Sequence, residues 1–123
     1  MGKTYIGTDI VEISDFERAI NDWKDKFLHR IYTEEEIKNC GNRVNTLAAH
    51  FAGKEAVIKA LGGYIRGFTW RNIEVLSNES GAPYIKMSGP IQERANELGI
   101  KAFSISLSHS KKYAIAFVLS YVE

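Results

Sequence analysis

The sequence has one cysteine, two prolines, little net charge and no long apolar run, and each scarcity removes a class of protein. Cys40 alone cannot close an internal disulfide and is too little for a cysteine-built zinc cluster, so the chain reads as belonging to a reducing compartment. Sixteen Lys and Arg against fifteen Asp and Glu leave a net charge of +1, which argues against a strongly basic nucleic-acid binder. No apolar stretch approaches the roughly 20 residues that span a bilayer. Met1 to Gly7 lacks the apolar core of a signal peptide, and Ile6 stands where a myristoylation motif needs Ser or Thr. The expectation is a soluble cytoplasmic protein with neither a membrane nor a nucleic-acid partner.

What is present is ordinary globular material. The 123 residues are 45% hydrophobic and 25% charged, which fits a single domain over residues 1–123 and excludes disordered and fibrous classes. Thr4 to Ile13 is rich in β-branched and aromatic residues and reads as a strand. Ser14 and Glu17 have the spacing of a capping box. Phe16, Ile20, Trp23, Phe27 and Ile31 then recur every three or four residues, one apolar stripe on a helix. A second box, Thr33 with Glu36, opens a short helix that Gly41 can end. Asn45 to Leu61 reads as a long helix stopped by Gly62 and Gly63, with Leu47, Ala48, Phe51, Ile58 and Leu61 on its buried side. Ile73 to Leu76 and Tyr84 to Met87 flank a polar turn and read as a hairpin. Pro90 to Leu98 is a helix with Pro in its first turn and Gly99 after its end. Ala102 to Leu107 and Tyr113 to Tyr121 make a second hairpin. This order is α+β with a mostly antiparallel sheet and packed helices.

Candidate chemistry lies in a few places. Phe51, Glu55 and Lys59 recur every four residues and share a helix face. A Glu–Lys pair at that spacing is by itself a surface feature of about 0.3 kcal/mol; a core-type aromatic on the same line marks the rim of a cleft. Asp9 stands in an otherwise apolar strand segment, where turn contacts are the simplest use of a carboxylate and a held functional group is the other. Glu12 points to the opposite face if the strand continues. His109 lies at a hairpin tip beside Ser110, Lys111 and Lys112, where a solvated imidazole and an anion-binding group are both open readings. Gly62, Gly63, Arg66 and Gly67 lack the spacing of a P-loop or a dinucleotide fingerprint. No Ser/His/Asp order, histidine metal spacing or aromatic–basic interleaving is present. If Asp9 and Glu55 converge, two carboxylates with open water positions suit Mg²⁺ completed by substrate phosphate oxygens.

Three segments carry a resemblance when taken together: Gly7-Thr8-Asp9-Ile10-Val11-Glu12-Ile13; Phe51-Ala52-Gly53-Lys54-Glu55-Ala56-Val57-Ile58-Lys59-Ala60 with the following Ile65 to Val75; and Ser106-Leu107-Ser108-His109-Ser110-Lys111-Lys112-Tyr113-Ala114. In order and separation they resemble the holo-acyl-carrier-protein synthase family, the short type of 4′-phosphopantetheinyl transferase, over essentially the whole chain. The resemblance implies transfer of the 4′-phosphopantetheine arm of coenzyme A to a serine of apo-acyl carrier protein, with adenosine 3′,5′-bisphosphate leaving. It implies Mg²⁺ at Asp9 and Glu55, with a metal-bound water or Glu55 itself taking the serine proton, and Lys59 stabilising or protonating the departing phosphate. His109 and Ser110 are implied to hold the nucleotide phosphates, with Pro83 in the turn that packs the adenine. A homotrimer with active sites between subunits is implied as well.

Three departures from the family pattern stand out. Asp15 replaces the arginine used to dock the acidic carrier; the acid suits a helix start, and Arg18, one turn on, is the candidate to take over docking. His50 replaces an arginine on the coenzyme A side and is expected to hold charge only part of the time near neutral pH. Ala82 replaces a lysine of the Gly-Lys-Pro turn. These departures keep open an alternative, a non-catalytic module of the same fold that binds coenzyme A or a carrier protein.

Overall fold

The computed structural model describes residues 1–123. Strand β1 (Lys3–Glu12) pairs antiparallel with β5 (Tyr113–Val122) along its full length, and β4 (Ser104–His109) joins the other edge of β5, giving the order β1-β5-β4. The period-two alternation of a strand sorts the side chains. On β1, Tyr5, Gly7 and Val11 turn toward the core, whereas Ile6 and Ile10 face out. On β5, Ala114, Ala116 and Val118 are buried, and Ile115 and Phe117 face out.

The helix α3 (Val44–Ala60) lies on the inner face of this sheet. It is buried on almost every side, because Ala48, Ala49, Ala52, Gly53, Ala56 and Ala60 let backbones approach closely. A Cβ on Gly7 would collide with the Ala56 carbonyl oxygen, and one on Gly53 would stand 3.1 Å from the Ile105 side chain. The first contact seats β1 directly against the helix, and the second brings β4 close to it. A second antiparallel pair, β2 (Ile73–Ser77) with β3 (Pro83–Met87), and helix α4 (Gly89–Leu98) close the rest of the core. Ile73, Ile91 and Ile100 are fully buried there, each worth roughly 1.5–3 kcal/mol. No helix is long and apolar enough to cross a membrane.

Both hairpins, the long helix and the α+β antiparallel architecture follow the sequence expectation. The short helix α2 (Glu34–Cys40) also starts as expected: Glu36 N–H donates to Thr33 Oγ1 at 3.3 Å, and Thr33 N–H donates to Glu36 Oε1 at 3.1 Å. Gly99 ends α4 in the left-handed conformation.

Three local expectations are corrected. Helix α1 (Ile13–Ile31) begins before Ser14, whose hydroxyl donates back to Glu12, so the Ser14–Glu17 box does not form. The stripe from Phe16 to Ile31 is not one continuous helix face either. Lys24 breaks it with φ 45 and ψ −127, and Trp23 is left 64% exposed while Phe16 and Ile31 are buried. His109 is the last residue of β4, opposite Ala114, with the turn itself at residues 110–112.

Candidate active site

Asp9 sits in the middle of β1 opposite Ala116, in ladder pairing and not in a turn. It lines one cleft with Glu55 of α3, alongside Ile10, Val11, Phe16, Phe27 and Phe51, a space of about 390 Å³. The ring of Phe16 meets Phe27 edge-on at 5.5 Å and Phe51 at 5.8 Å, so an aromatic wall stands beside the two carboxylates. Phe51 and Glu55 therefore share a cleft as their helical spacing indicates. Lys59 does not close an i,i+4 pair with Glu55. Its Nζ donates to Asp9 Oδ1 at 2.8 Å and to the Thr8 carbonyl oxygen at 3.2 Å.

The electrostatics follow from that placement. Burial first, and then the Asp9 charge, push the Glu55 carboxyl above its ordinary range, with Lys59 opposing. The hydrogen bond and charge of Asp9 hold the Lys59 ammonium more firmly protonated than usual. The protein gathers no cluster of three or more His, Cys, Asp or Glu side chains suited to a metal ion. Two neighbouring carboxylates alone fit a hard cation such as Mg²⁺, which commonly takes one or two carboxylates and leaves its other positions to water and substrate phosphates.

On the other side of α3, His50, Pro83 and His109 line a second cleft of about 360 Å³ with Thr46, Ser77, Gly81 and Ser106. No residue lines both clefts. His50 is buried, and its Nδ1 lies 3.2 Å from Cys40 Sγ. Burial, with Lys54 nearby, pushes its pKa down to about 4, while burial pushes the Cys40 thiol up to about 12. The imidazole is thus neutral near pH 7, and the part-time positive charge expected from sequence is not available. Ser110 Oγ accepts the backbone N–H groups of Lys112 and Tyr113, each at 3.2 Å, which fixes the turn next to His109.

Arg18 is exposed on α1 and faces Asp15 at 3.9 Å. Beyond it, Trp23, Lys26, Phe27 and Arg30 form a further cleft that shares Phe27 with the Asp9–Glu55 cleft. Lys26 and Arg30 take part in none of the four ion pairs of the protein.

Sequence reasoning missed a buried pair beneath this site. Lys54 Nζ donates to Glu36 Oε1 at 2.7 Å, to the Trp70 carbonyl oxygen at 3.2 Å and to the Ile73 carbonyl oxygen, with both side chains fully buried. Glu36 Oε2 accepts the Val75 N–H at 3.1 Å. Burial raises Glu36 and lowers Lys54, and each partner offsets the other's shift. The pair locks α2 and the start of β2 onto α3. It also fixes Trp70, whose ring packs on Phe51 at 5.2 Å. A signal was present: Lys54 follows His50 by four residues and precedes Ile58 by four, so it falls on a buried stripe where an ammonium requires a carboxylate.

A family model described as the 4′-phosphopantetheinyl transferase superfamily matches residues 5–118. The chain is 42% identical over 120 residues to the holo-[acyl-carrier-protein] synthase of Herpetosiphon aurantiacus, covering 92% of this chain and 94% of that one. It is 45% identical over 116 residues to the synthase of Dehalococcoides mccartyi, covering 94% and 97%. Its fold matches the crystal structure of the Helicobacter pylori holo-[acyl-carrier-protein] synthase in complex with coenzyme A with a TM-score of 0.84, at 34% identity, covering 94% of this chain and 98% of that one. A whole-length match in sequence and fold, with Asp9 and Glu55 gathered in one cleft, leads to one conclusion: the chain belongs to the holo-acyl-carrier-protein synthases of the 4′-phosphopantetheinyl transferase superfamily.

Proposed function

We propose that this protein transfers the 4′-phosphopantetheine group from coenzyme A to a serine of apo-acyl carrier protein in a Mg²⁺-dependent reaction that releases adenosine 3′,5′-bisphosphate. The observation that carries the reading is the meeting of Asp9 and Glu55 in one cleft with Lys59 bonded to Asp9. Asp9 and Glu55 hold Mg²⁺, which when bound supplies positive charge against the coenzyme A diphosphate and the charge growing on the leaving phosphate. Glu55, whose carboxyl burial and the Asp9 charge raise above its ordinary value, takes the proton of the attacking serine directly or through a water. Lys59, one helical turn further on, stabilises the departing phosphate. Phe16, Phe27 and Phe51 keep water from that side of the reacting group. On the nucleotide side, His109 and Ser110 bind phosphate, Pro83 packs against the adenine, and His50 lines the pocket as a neutral ring.

The reading includes a homotrimer. Its support is an uncovered apolar sheet face, where Ile10 and Ile115 sit opposite one another, 60% and 44% exposed, beside Phe117 at 41%. Isolated exposed apolar residues are normal, but a contiguous stripe marks an interaction face. Further support is the separation of the two clefts within one chain; a trimer can bring the Asp9 cleft of one subunit to the His109 cleft of the next. Carrier docking falls to Arg18, with Lys26 and Arg30 offering further positive charge along the cleft that adjoins Phe27. The setting is the reducing cytoplasm, with which a lone buried Cys40 is compatible.

The test is intact-protein mass spectrometry of an apo-acyl carrier protein after incubation with this protein, coenzyme A and Mg²⁺. A gain of one phosphopantetheine that disappears with chelator supports the transferase. No gain with several carriers, from a folded protein that binds coenzyme A, overturns it.

A further inference from the structure

Lys59 reaches past Glu55, its neighbour on the same helix face, to Asp9 on β1. The Asp9 side chain is 14% exposed and the Lys59 side chain 54%, so a carboxylate fixed in the wall is met by a lysine coming from solvent. The lysine has two acceptors there, Asp9 Oδ1 at 2.8 Å and the Thr8 carbonyl oxygen at 3.2 Å, and an exposed flexible stem that lets it swing away. The same carboxylate is half of the donor pair on which the proposed Mg²⁺ site depends. An ammonium and a divalent cation on one carboxylate repel each other strongly at such range, so the first has to yield for the second to bind well.

We infer that Lys59 is a placeholder cation: it neutralises Asp9 in the free protein and is exchanged for a divalent cation when the coenzyme A diphosphate enters. The inference rests on the reading of Asp9 and Glu55 as the metal pair. The diphosphate makes the exchange favourable from both sides, because it offers the released ammonium a new partner and supplies oxygens for the remaining positions around the cation. Lys59 thus has two successive partners, Asp9 before substrate binds and phosphate afterwards. A thermodynamic coupling follows. The free protein binds the cation weakly, and diphosphate and cation raise each other's affinity by the same factor.

The probe is Mn²⁺, with the free ion counted by electron paramagnetic resonance, in the absence of coenzyme A and at its saturation. Lys59→Met keeps the aliphatic stem and removes the charge. Without coenzyme A it is expected to bind Mn²⁺ about fivefold more tightly than wild type, the upper range of what such an ion pair contributes. The gain in Mn²⁺ affinity that coenzyme A gives should shrink by a similar factor. Equal or weaker Mn²⁺ binding by Lys59→Met, or an unchanged gain with coenzyme A, overturns the exchange. Asp9→Asn run alongside separates the two claims. If it leaves Mn²⁺ binding intact, the metal pair itself is misassigned and the exchange falls with it. If it abolishes binding while Lys59→Met matches wild type, only the exchange is removed.

Discussion

Gly7 and Ala56 touch across the β1–α3 interface with no room for a side chain between them. Asp9 lies two residues beyond Gly7 on the strand, and Glu55 lies one residue before Ala56 on the helix. The nearness of the two carboxylates is therefore imposed by a backbone contact, at a place where burial first and the Asp9 charge second raise Glu55. Gly7 is needed here for space, since its φ is not among the positive ones.

Replacing Gly7 by Ala forces strand and helix apart. The expected cost is about 1–3 kcal/mol of stability, the usual range for overpacking a dense site. Mn²⁺ affinity should fall with it, because Asp9 moves away from Glu55. Urea unfolding and Mn²⁺ titration check both effects, and a Gly7→Ala variant matching wild type in each contradicts the contact's role.

Lys54→Met leaves Glu36 without its cation in a fully buried position. Breaking a buried pair this way costs about 3–5 kcal/mol. Adding Glu36→Leu removes the stranded charge and should recover part of the loss. The recovery stays incomplete because the Val75 and Thr33 N–H groups then lack their acceptor. Denaturant midpoints of the two single variants and the double variant decide; a double variant no better than Lys54→Met refutes the electrostatic explanation.

The neutral His50 gives the fold a pH dependence of known sign. Its folded-state pKa, about 4, lies below the ordinary 6.5. Between those values the unfolded chain binds a proton that the folded protein does not. The stability is thus fully present above pH 6.5 and is lost as pH falls toward 4, at about 1.4 kcal/mol per pH unit and about 3 kcal/mol in all. Urea midpoints at pH 7 and pH 5 should differ less in His50→Gln than in wild type. An equal difference assigns the acid sensitivity elsewhere.

Phe117→Glu places a charge on the uncovered sheet face and, on the proposed trimeric reading, is expected to lower the oligomeric state seen in sedimentation velocity, with activity falling in parallel. Mixing Glu55→Gln subunits with His109→Ala subunits is expected to restore activity that neither has alone, since some mixed interfaces carry both intact clefts. A Phe117→Glu protein that sediments as wild type, or mixtures with no recovery, count against the shared site.

Much of the architecture was legible because local and global signals agree. The Thr33–Glu36 box, the Gly99 stop and both hairpins are written in residues only a few positions apart. The break at Lys24 was not legible, because the apolar spacing of α1 continues straight through it to Phe27 and Ile31. The Ser14–Glu17 signature misled for a related reason: the helix had already begun at Ile13, and Ser14 bonds Glu12 instead. Within the site, the helical spacing of Phe51 and Glu55 pointed to a shared cleft. Asp9 looked locally like a turn residue, because its partner Lys59 is 50 positions away and no local rule reads such a pair. Lys54 and Glu36 were hidden in the same way, inside motifs that already had a sufficient local explanation.

The most direct measurement on the roles of Asp9 and Glu55 is the intact mass of apo-acyl carrier protein after reaction with coenzyme A and saturating Mg²⁺, comparing wild type with Glu55→Gln and Asp9→Asn. Circular dichroism confirms that each variant is folded. Wild type is expected to add one phosphopantetheine to the carrier, and both folded variants to add essentially none over the same time. Full modification by either variant would contradict the assignment of these two carboxylates to the reaction.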